Sequence, residues 1–347
     1  MIKRLSGILP RGIQWLRQRF VPGPRVLLYH RVTALGADPQ LLAVTPRHFA
    51  EHLAILREKA FPMTLPALVD ALQQGTVPRN AVVITFDDGY ADNLYQAKPL
   101  LERYAVPATV FVASGSLGTR EEFWWDELDR LLLQPNVLPA QLQLTVSGRT
   151  LHWNLGAAAF FTVQDVARYS QWSVNARQYP SIRHQAYAVL CAALRPLPPA
   201  ERQQVLEQLR QWASATTAGR RSHRALTGNE ITQLAAGELI EIGAHTVTHA
   251  YLSSLTADAQ QSEILDSQTQ LEQIIGKPVK TFSYPFGTRA SYDTETLRIV
   301  HEAGFTCACA NIPDLVTSSC DPWQLPRVLV RDWDGETFSR RFAAWLH

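Results

Sequence analysis

Two adjacent carboxylates follow an apolar run in this chain. Asp87 and Asp88 come directly after AVVITF, residues 81–86, which predicts a buried strand. Carboxylates at the end of a buried strand raise the free energy unless water, hydrogen bonds or a metal ion compensate their charge. Adjacent side chains point in different directions, so the two acids can have different functions. An ordinary turn is the alternative, since Asp-Asp-Gly is also a frequent turn sequence.

Two histidines follow a second apolar run. His245 and His249 lie four residues apart in GAHTVTH, at the end of the strand predicted over LIEIGAH. If a helical turn starts there, both imidazoles lie on one side of it and can bind one cation. Together with one carboxylate they provide three protein ligands and leave a coordination position open for water. A bound metal lowers the pKa of that water, and the second carboxylate can then act as a general base.

A third predicted strand ends in TFSYPFG, residues 281–287, where a proline and a glycine frame Phe286. A rigid turn at this point can direct the backbone N–H of Phe286 toward a developing oxyanion. We also expect Tyr284 and Pro285, in the same motif, to contact the substrate. The alternative is a structural loop that takes no part in the chemistry.

Aromatic and titratable residues follow two other strands. His30 ends the short apolar run in RVLLYHRV, and it is either a buried histidine bonded to a backbone carbonyl or a working acid. Trp124 and Trp125, in EFWWDEL, come just after a strand end. Tryptophan rings pack on sugar rings and also anchor neighbouring elements, and the sequence leaves both functions open.

The elements that carry these residues alternate between strands and helices. Apolar, β-branched runs such as AVVITF and PATVFV are separated by amphipathic segments such as PRHFAEHLAILREKA and TADAQQSEILDSQTQLEQIIG. This pattern is typical of a parallel sheet with helices on its faces. About six or seven β/α units predict an α/β fold, a TIM-like barrel in which the C-terminal ends of the strands form the active face.

The middle of the chain interrupts this alternation. Residues 119–225 contain LQLTVSGRTLHWNL, which predicts a hairpin around Ser147-Gly148, and LPPAERQQVLEQLRQWAS, an amphipathic helix opened by prolines. We interpret this segment as an α+β insertion between two parts of one barrel, residues 25–118 and 226–347. The second part ends in a C-terminal helix. A small separate domain is the alternative interpretation of the insertion.

Composition narrows the class of protein. The chain has 347 residues, of which 46% are hydrophobic, as expected for a globular protein with a large core. The 33 basic and 31 acidic residues give a net charge of +2, which does not favour nucleic acid as a partner. None of the four cysteines lies in a C-x-x-C pair, and Cys307 and Cys309 are expected in the core, on one face of a strand.

Residues 1–24 form a segment rich in basic residues. Apolar residues recur in it at helical spacing, which fits a helix packed on the domain or a helix lying on a membrane surface. We favour the packed helix. The segment lacks the long apolar stretch of a signal peptide, and no window of the chain is apolar enough to predict a transmembrane helix.

Three of these motifs, TFDDGY, HTVTH and FSYPFG, closely resemble the motifs of the polysaccharide deacetylase family and stand in the same order. This family is the NodB-homology domain of carbohydrate esterase family four. The resemblance covers residues 25–118 and 226–335. It implies a distorted (β/α) barrel, a divalent metal that is most often Zn²⁺, and hydrolysis of N-acetyl groups on amino sugars.

The resemblance also assigns a function to individual residues. Asp87 matches the catalytic base of the family. Asp88, His245 and His249 match the metal ligands. The backbone N–H of Phe286 matches the oxyanion donor, at a position where the family usually has tyrosine.

Two positions depart from the family's pattern. Many members have an arginine two residues before the proline of the third motif, and this chain has Ser283 at that position. Arg327, in LPRV, is the candidate that supplies the missing positive charge from another strand. Many members also have a general-acid histidine in an apolar strand near the C-terminus, and no convincing copy follows residue 287. His30, in VLLYHRV, matches that strand at the front of the barrel, a rearrangement that some members share, and is our candidate for the acid.

Together these features predict a metal-dependent hydrolase that removes N-acetyl groups from an amino sugar in a glycan or glycan precursor. The expected partners are an N-acetylated sugar, an oligosaccharide or a lipid-linked glycan. The alternative in which residues 1–24 lie on a membrane surface adds a peripheral membrane contact. We expect a cytoplasmic enzyme, because no export signal is visible. Two alternatives stay open: a carbohydrate-binding relative that has lost catalysis, and an amidase that acts on a non-sugar amide.

Overall fold

The computed structural model describes residues 23–345. The amphipathic helix expected within the N-terminal segment falls in residues 1–22, outside the described residues. The strands, in chain order, are β1 (Arg25–Tyr29), β2 (Arg31–Val32), β3 (Ala43–Val44), β4 (Phe61–Pro62), β5 (Ala81–Phe86), β6 (Ala108–Val112), β7 (Gln141–Val146), β8 (Arg149–Asn154), β9 (Ile240–Ala244), β10 (Thr281–Ser283), β11 (Cys307–Cys309) and β12 (Val328–Leu329).

Eight of these strands form one parallel sheet, which curls into a barrel-like shape. Its order is β11-β10-β9-β6-β5-β1-β12, and β4 pairs with the beginning of β5. The two ends of the sheet meet just before β12, because Leu325 forms a parallel bridge with Cys309. The amide of Leu325 donates to the carbonyl of Ala308 (2.9 Å), and its carbonyl accepts from the amide of Ala310 (2.9 Å). The predicted distorted (β/α) barrel is therefore confirmed.

The sheet is buried on both faces, as its composition predicts. Every residue of β1 and β5 is buried. Side chains of these strands pack with Phe49, Leu53 and Leu56 of a neighbouring helix in the largest hydrophobic core. Cys307 and Cys309 are buried without a disulfide, in agreement with the prediction of a core position. Apolar, β-branched strands of this kind are typical of parallel sheets that are covered by helices.

Helices cover the outside of the sheet and contribute the insertion. In chain order they are α1 (Pro46–Lys59), α2 (Leu65–Gln74), α3 (Lys98–Tyr104), α4 (Trp124–Leu132), α5 (Val163–Tyr169), α6 (Ile182–Leu194), α7 (Pro199–Trp212), α8 (Gly228–Leu234), α9 (Ala257–Ile275), α10 (Thr294–Glu302) and α11 (Gly335–Trp345). The capping box predicted from Thr227 and Glu230 is present at the start of α8. None of the helices in the described range is long and apolar enough to cross a membrane.

The insertion contains the predicted hairpin and amphipathic helix. Strands β7 and β8 pair antiparallel around Ser147-Gly148, and α7 packs against β7. Helices α4 and α6 contact each other, and α4 also contacts α7. The buried side chains of this segment form a hydrophobic cluster that includes Tyr90 and Ala113 of the barrel. The insertion therefore packs directly on the barrel, at the end of β5 and β6.

A buried ion pair joins two helices of the insertion. The guanidinium of Arg210, on α7, donates to both carboxylate oxygens of Glu127, on α4, at 2.8 Å each. Both side chains are almost fully buried, and Arg130 donates a further bond to Glu127 (2.7 Å). Removal of one partner leaves the other charge buried and only partly compensated.

We expect the Arg210→Met variant to be strongly destabilised. Because Glu127 then keeps Arg130 alone, the free energy of unfolding should fall by roughly 3 kcal/mol, as measured by urea unfolding. The matched control is Arg298→Met, which removes a solvent-exposed arginine paired with Glu295 and Glu302. The control should leave the unfolding midpoint nearly unchanged. Equal midpoints for the two variants would contradict this interpretation of the pair.

Candidate metal and active site

Asp87 and Asp88 follow β5 and point to different partners. Asp88 and Gly89 both have left-handed backbone conformations, with φ of 75° and 80°. A side chain at Gly89 would meet the methyl groups of Val112, from 3.0 Å, so this turn requires glycine. The turn directs the Asp88 carboxylate toward the end of β9 and leaves the Asp87 carboxylate facing the end of β10.

Asp88, His245 and His249 converge on one point. Asp88 Oδ1 lies 3.3 Å from His249 Nε2 and 3.6 Å from His245 Nε2, and one ligand atom from each residue lies within 4.8 Å of the others. All three side chains are buried. His245 Nδ1 donates to the carbonyl of Ser283 (2.6 Å), which turns Nε2 toward Asp88. No acceptor in the described residues receives a hydrogen bond from His245 Nε2.

The electrostatics of these three residues favour a cation. Burial alone would raise the pKa of Asp88, but the adjacent imidazoles of His245 and His249 hold it well below its ordinary value. Burial lowers the pKa of His249 to about 4, so its imidazole is neutral and able to bind a metal. Burial also acts to lower the pKa of His245, but Asp87 and Asp88 raise it above its ordinary value. One carboxylate, one neutral imidazole and a second imidazole beside two carboxylates, which favour positive charge at this point, fit a divalent ion.

The two histidines lie on a loop and not on a helical turn. Thr246 and His249 have left-handed φ values of 63° and 53°, which brings the imidazoles together. Glu263, on α9, holds this loop, since its carboxylate accepts from the amides of Val247 (2.9 Å) and Thr248 (2.8 Å). A helical turn was one way to bring the two imidazoles together, and a loop with two left-handed positions achieves the same with a four-residue spacing. Nothing in the sequence pattern singled out Glu263.

Arg327 forms a buried, bidentate ion pair with Asp87. Its two terminal nitrogens donate to the two carboxylate oxygens at 2.7 Å each, and one of them also donates to Ser283 Oγ (2.8 Å). Burial would raise the pKa of Asp87, but the charge of Arg327 lowers it below its ordinary value. Asp87 is therefore ionised. The structure places Arg327 where the missing motif arginine was expected to act, and the small Ser283 leaves room for it.

His30 lies at the same edge of the sheet as the two carboxylates. Strands β1 and β5 pair in parallel with Tyr29 opposite Phe86, so the residues that follow them emerge side by side. His30 lines a cavity together with Asp87 and Asp88. Its Nδ1 is buried and has no hydrogen-bond partner in residues 23–345, so the alternative of a histidine bonded to a backbone carbonyl does not describe it. Burial lowers its pKa, partly opposed by the two carboxylates.

Phe286 closes the cavity on the side of His249. Its backbone is left-handed (φ of 62°), and its ring centre lies 4.7 Å from that of His249. Its amide donates no hydrogen bond to the protein within the described residues. The carbonyl of the next residue, Gly287, accepts from the amide of Asn311 (2.8 Å) and holds the turn. The Phe286 amide is thus available to an external acceptor.

Tyr284 and Pro285 do not contact the cavity, so the prediction of substrate binding was wrong for both. Tyr284 is fully buried, and its hydroxyl donates to the carbonyl of Trp323 (2.8 Å). Its ring stacks on Tyr292 at 4.2 Å. Tyr284 extends β10 by one residue, and on an extended chain its side chain shares the core face with Phe282, two residues before it. Pro285 is buried in the same turn and does not line the cavity.

Trp124 and Trp125 begin α4, where they anchor the insertion and also reach the cavity. Both line the cavity, and both belong to the core of the insertion. Trp125 Nε1 donates to the hydroxyl of Tyr90 (2.9 Å), and its ring centre lies 4.8 Å from that of His249. The cavity has a volume of about 240 Å³. Further residues that line it were not singled out from the sequence, and they include Gln40, Leu42, Asn175, Arg195, Asn311 and Arg331.

We expect the loss of either histidine to abolish metal binding. His245→Ala and His249→Ala each leave two of the three ligands, so the proteins should retain no stoichiometric Zn²⁺ after gel filtration, as measured by mass spectrometry of the metal. His152, which is exposed on β8, provides the matched control His152→Ala. Retention of one zinc ion per chain by either variant would contradict the site.

Comparison with known proteins identifies the family. Residues 74–138 and 203–308 match the family model described as polysaccharide deacetylase, and the second range begins within the segment that we assigned to the insertion. The protein YxkH of Bacillus subtilis (strain 168) is 26% identical over 119 residues, which are 34% of this chain and 41% of that protein.

A second relative and a solved structure agree with this match. Poly-beta-1,6-N-acetyl-D-glucosamine N-deacetylase of Escherichia coli (strain K12) is 31% identical over 96 residues, which are 27% of this chain and 14% of that protein. The chain therefore spans less than half the length of either relative. The Streptococcus pyogenes deacetylase PplD, solved with acetate, shares the fold with a TM-score of 0.57 and 16% identity, over 92% of this chain and 98% of that one. The chain belongs to the polysaccharide deacetylase family.

Proposed function

We propose that this chain is a metal-dependent N-deacetylase that hydrolyses the acetamide group of an amino sugar in a glycan or glycan precursor. One observation carries the proposal. A triad of possible metal ligands, a carboxylate held ionised by Arg327 and an unpaired histidine line the same cavity. One relative is named as an N-deacetylase of poly-beta-1,6-N-acetyl-D-glucosamine, which supports an N-acetylated sugar as the substrate class.

Asp88, His245 and His249 would hold the metal, for which we propose Zn²⁺. Two imidazoles and one carboxylate are a ligand set that zinc accepts, with one position left for water or substrate. A metal bound there would polarise the acetyl carbonyl and lower the pKa of water. The buried, unpaired Nε2 of His245 is the feature of this chain that calls for such a partner.

Asp87 is the general base of the proposed reaction. Its carboxylate lies 3.9 Å from His245 Nε2, which places it beside the ligand triad without being part of it. Arg327 donates to both of its oxygens and Ser283 donates to one of them, so that the carboxylate has one orientation. Asp87 accepts the proton from the water that attacks the acetyl carbon.

Phe286 and His30 complete the reaction. The free amide of Phe286 donates a hydrogen bond to the oxyanion that develops as water adds to the carbonyl carbon. His30 donates a proton to the sugar nitrogen while the carbon–nitrogen bond breaks, so that the products are acetate and the free amine. The unpaired Nδ1 of His30 and its place beside the two carboxylates support this function.

The structure weakens the case for a relative that has lost catalysis. That alternative rested on Ser283, which replaces the motif arginine, and Arg327 supplies a guanidinium at the base from β12's side of the sheet. An amidase that acts on a non-sugar amide has the same chemistry, and no specific contact in the cavity favours it. The sugar is therefore the substrate that we propose.

We propose a cytoplasmic location, in which the enzyme acts on a precursor of the glycan. Its described cysteines are free, three of them buried, which is compatible with a reducing compartment. Fusion of the full chain to a reporter that is active only in the cytoplasm tests the location. A signal from a periplasmic reporter alone would contradict it.

We expect Asp87→Asn to abolish acetate release and to retain the metal. The amide side chain keeps the size of Asp87 but cannot accept the proton, so kcat should fall by about 10² to 10⁴. Acetate release from N-acetylated glucosamine oligosaccharides and zinc content are measured on the same protein samples. Full activity of this variant would rule out Asp87 as the base.

We expect Arg327→Gln to shift the pH dependence of kcat/KM. Because Arg327 lowers the pKa of Asp87, its removal raises that pKa, and a base is active only when it is deprotonated. The acidic limb of the profile should therefore move to higher pH, with activity lost first at low pH. Arg149→Gln, an exposed arginine on β8, is the control and should leave the profile unchanged. If the acidic limb of the Arg327→Gln profile is not shifted, the ion pair does not set the pKa of the catalytic base.

A further inference from the structure

Two arginines line the cavity without a carboxylate partner. Arg195 follows the last residue of α6, and Arg331 follows β12 by two residues. Within the described part of the chain, neither guanidinium lies within 4.0 Å of an acidic side chain. Neither carboxylate of the cavity pairs with Arg195 or Arg331, because Asp87 pairs with Arg327 and Asp88 lies against the two histidines.

Arg331 is held in place by backbone carbonyls and not by an anion. Its guanidinium donates to the carbonyls of Gln40 (3.3 Å) and Leu41. Asp38 is the acid that acts on it most, but the Asp38 carboxylate accepts from the amide of Ala43 (2.7 Å) and forms no ion pair with Arg331. Burial lowers the pKa of Arg331, partly opposed by Asp38. A partly desolvated cation of this kind gains most from a bound anion.

Arg195 is held over the reaction site. Its guanidinium carbon lies 5.4 Å from the centre of the Phe286 ring. It lies one helical turn after Cys191 and two turns after Tyr187, so the three side chains share one side of α6. The side-chain amide of Gln40 donates to the Tyr187 hydroxyl (2.7 Å) and to Cys191 Sγ (3.3 Å).

Gln40 thus connects the two arginines. Its side chain binds α6, which carries Arg195, and its carbonyl accepts from Arg331. Arg195 lies over the Phe286 ring and Arg331 donates to backbone carbonyls, so within the described residues no acidic side chain neutralises either cation. An uncharged acetamido sugar has no group that matches two guanidinium ions, whereas a phosphate or a carboxylate accepts several of their hydrogen bonds.

We propose that the substrate carries an anionic group, a phosphate or a carboxylate on the N-acetylated sugar, and that Arg195 and Arg331 bind it. This inference rests on the proposed deacetylase function and specifies its substrate class. The cavity volume of about 240 Å³ lies below the roughly 300–1,000 Å³ of most ligand pockets, which suits one sugar residue and its charged substituent. Because α6 belongs to the insertion, the insertion contributes to substrate selection.

The first test compares turnover of three sugars by the metal-loaded protein. The probes are N-acetylglucosamine, N-acetylglucosamine 1-phosphate and N-acetylglucosaminuronic acid, with released acetate as the readout. One of the two anionic sugars should have a kcat/KM about tenfold higher than the neutral sugar, through a lower KM, because charge-assisted hydrogen bonds are the stronger ones. The preferred anion distinguishes a phosphate from a carboxylate. Equal kcat/KM for all three sugars would overturn the proposal and leave the deacetylase function intact.

The second test removes one charge at a time. Arg195→Gln should reduce the preference for the anionic sugar, measured as the ratio of kcat/KM for the anionic sugar to kcat/KM for the neutral sugar, about tenfold. Since Arg195 is exposed, this variant should fold. Arg331→Gln should have the same effect, and if it fails to fold, Arg195→Gln decides alone. The matched control Arg149→Gln lies outside the cavity and should keep the preference. An unchanged preference in Arg195→Gln would overturn its assignment.

A binding measurement separates this proposal from the proposed function. In the Asp87→Asn background, where turnover is blocked, calorimetry should show that the preferred anionic sugar binds about tenfold more tightly than N-acetylglucosamine. The further change Arg195→Gln should remove that difference. If the wild-type protein releases no acetate but this difference in binding persists, the deacetylase function is wrong and the anion site stands. Equal binding of both sugars overturns the anion site.

Discussion

The buried ion pair between Asp87 and Arg327 is the interaction on which the site depends. Both groups lose water, a cost that is offset only when the geometry is good and the remaining donors are satisfied. Here the pair is bidentate, and the other guanidinium donors reach Ser283, Thr85 and the carbonyl of Ala310. The pair also spans the sheet, because Asp87 follows β5, Arg327 precedes β12, and β1 lies between these strands. The curl of the sheet therefore brings Arg327 to Asp87, and Arg327 keeps the Asp87 carboxylate ionised.

Asp87 and Asp88 are adjacent in the chain but have different partners, and each therefore has a different function. Arg327 keeps Asp87 ionised and oriented, so the histidines remain available to Asp88. The left-handed turn at Asp88 makes this division possible, since it separates two carboxylates that are adjacent in the chain. The insertion then covers His249 with Trp125 and shields one side of the site from water. Low local polarity strengthens each of these electrostatic contacts.

Most of the fold and the centre of the site could be predicted, because the relevant residues directly follow apolar strands. The differences from expectation have local causes. A spacing of four residues does not distinguish a helical turn from the loop that holds His245 and His249. Tyr284 lies beside a functional turn but alternates onto the core face with Phe282. Position in a motif therefore did not establish which way a side chain points.

By itself the sequence determined the strand ends that carry Asp87, Asp88 and the two histidines. The reason is that apolar, β-branched runs are typical of the buried strands of a parallel sheet. Only the tertiary structure decided which distant residues complete the site. Arg327 lies 240 positions after Asp87 in the chain, and their contact exists because the sheet curls and closes. Arg195 reaches the cavity only because the insertion packs on the barrel. Such contacts depend on how elements dock, which the periodicity of a sequence does not encode.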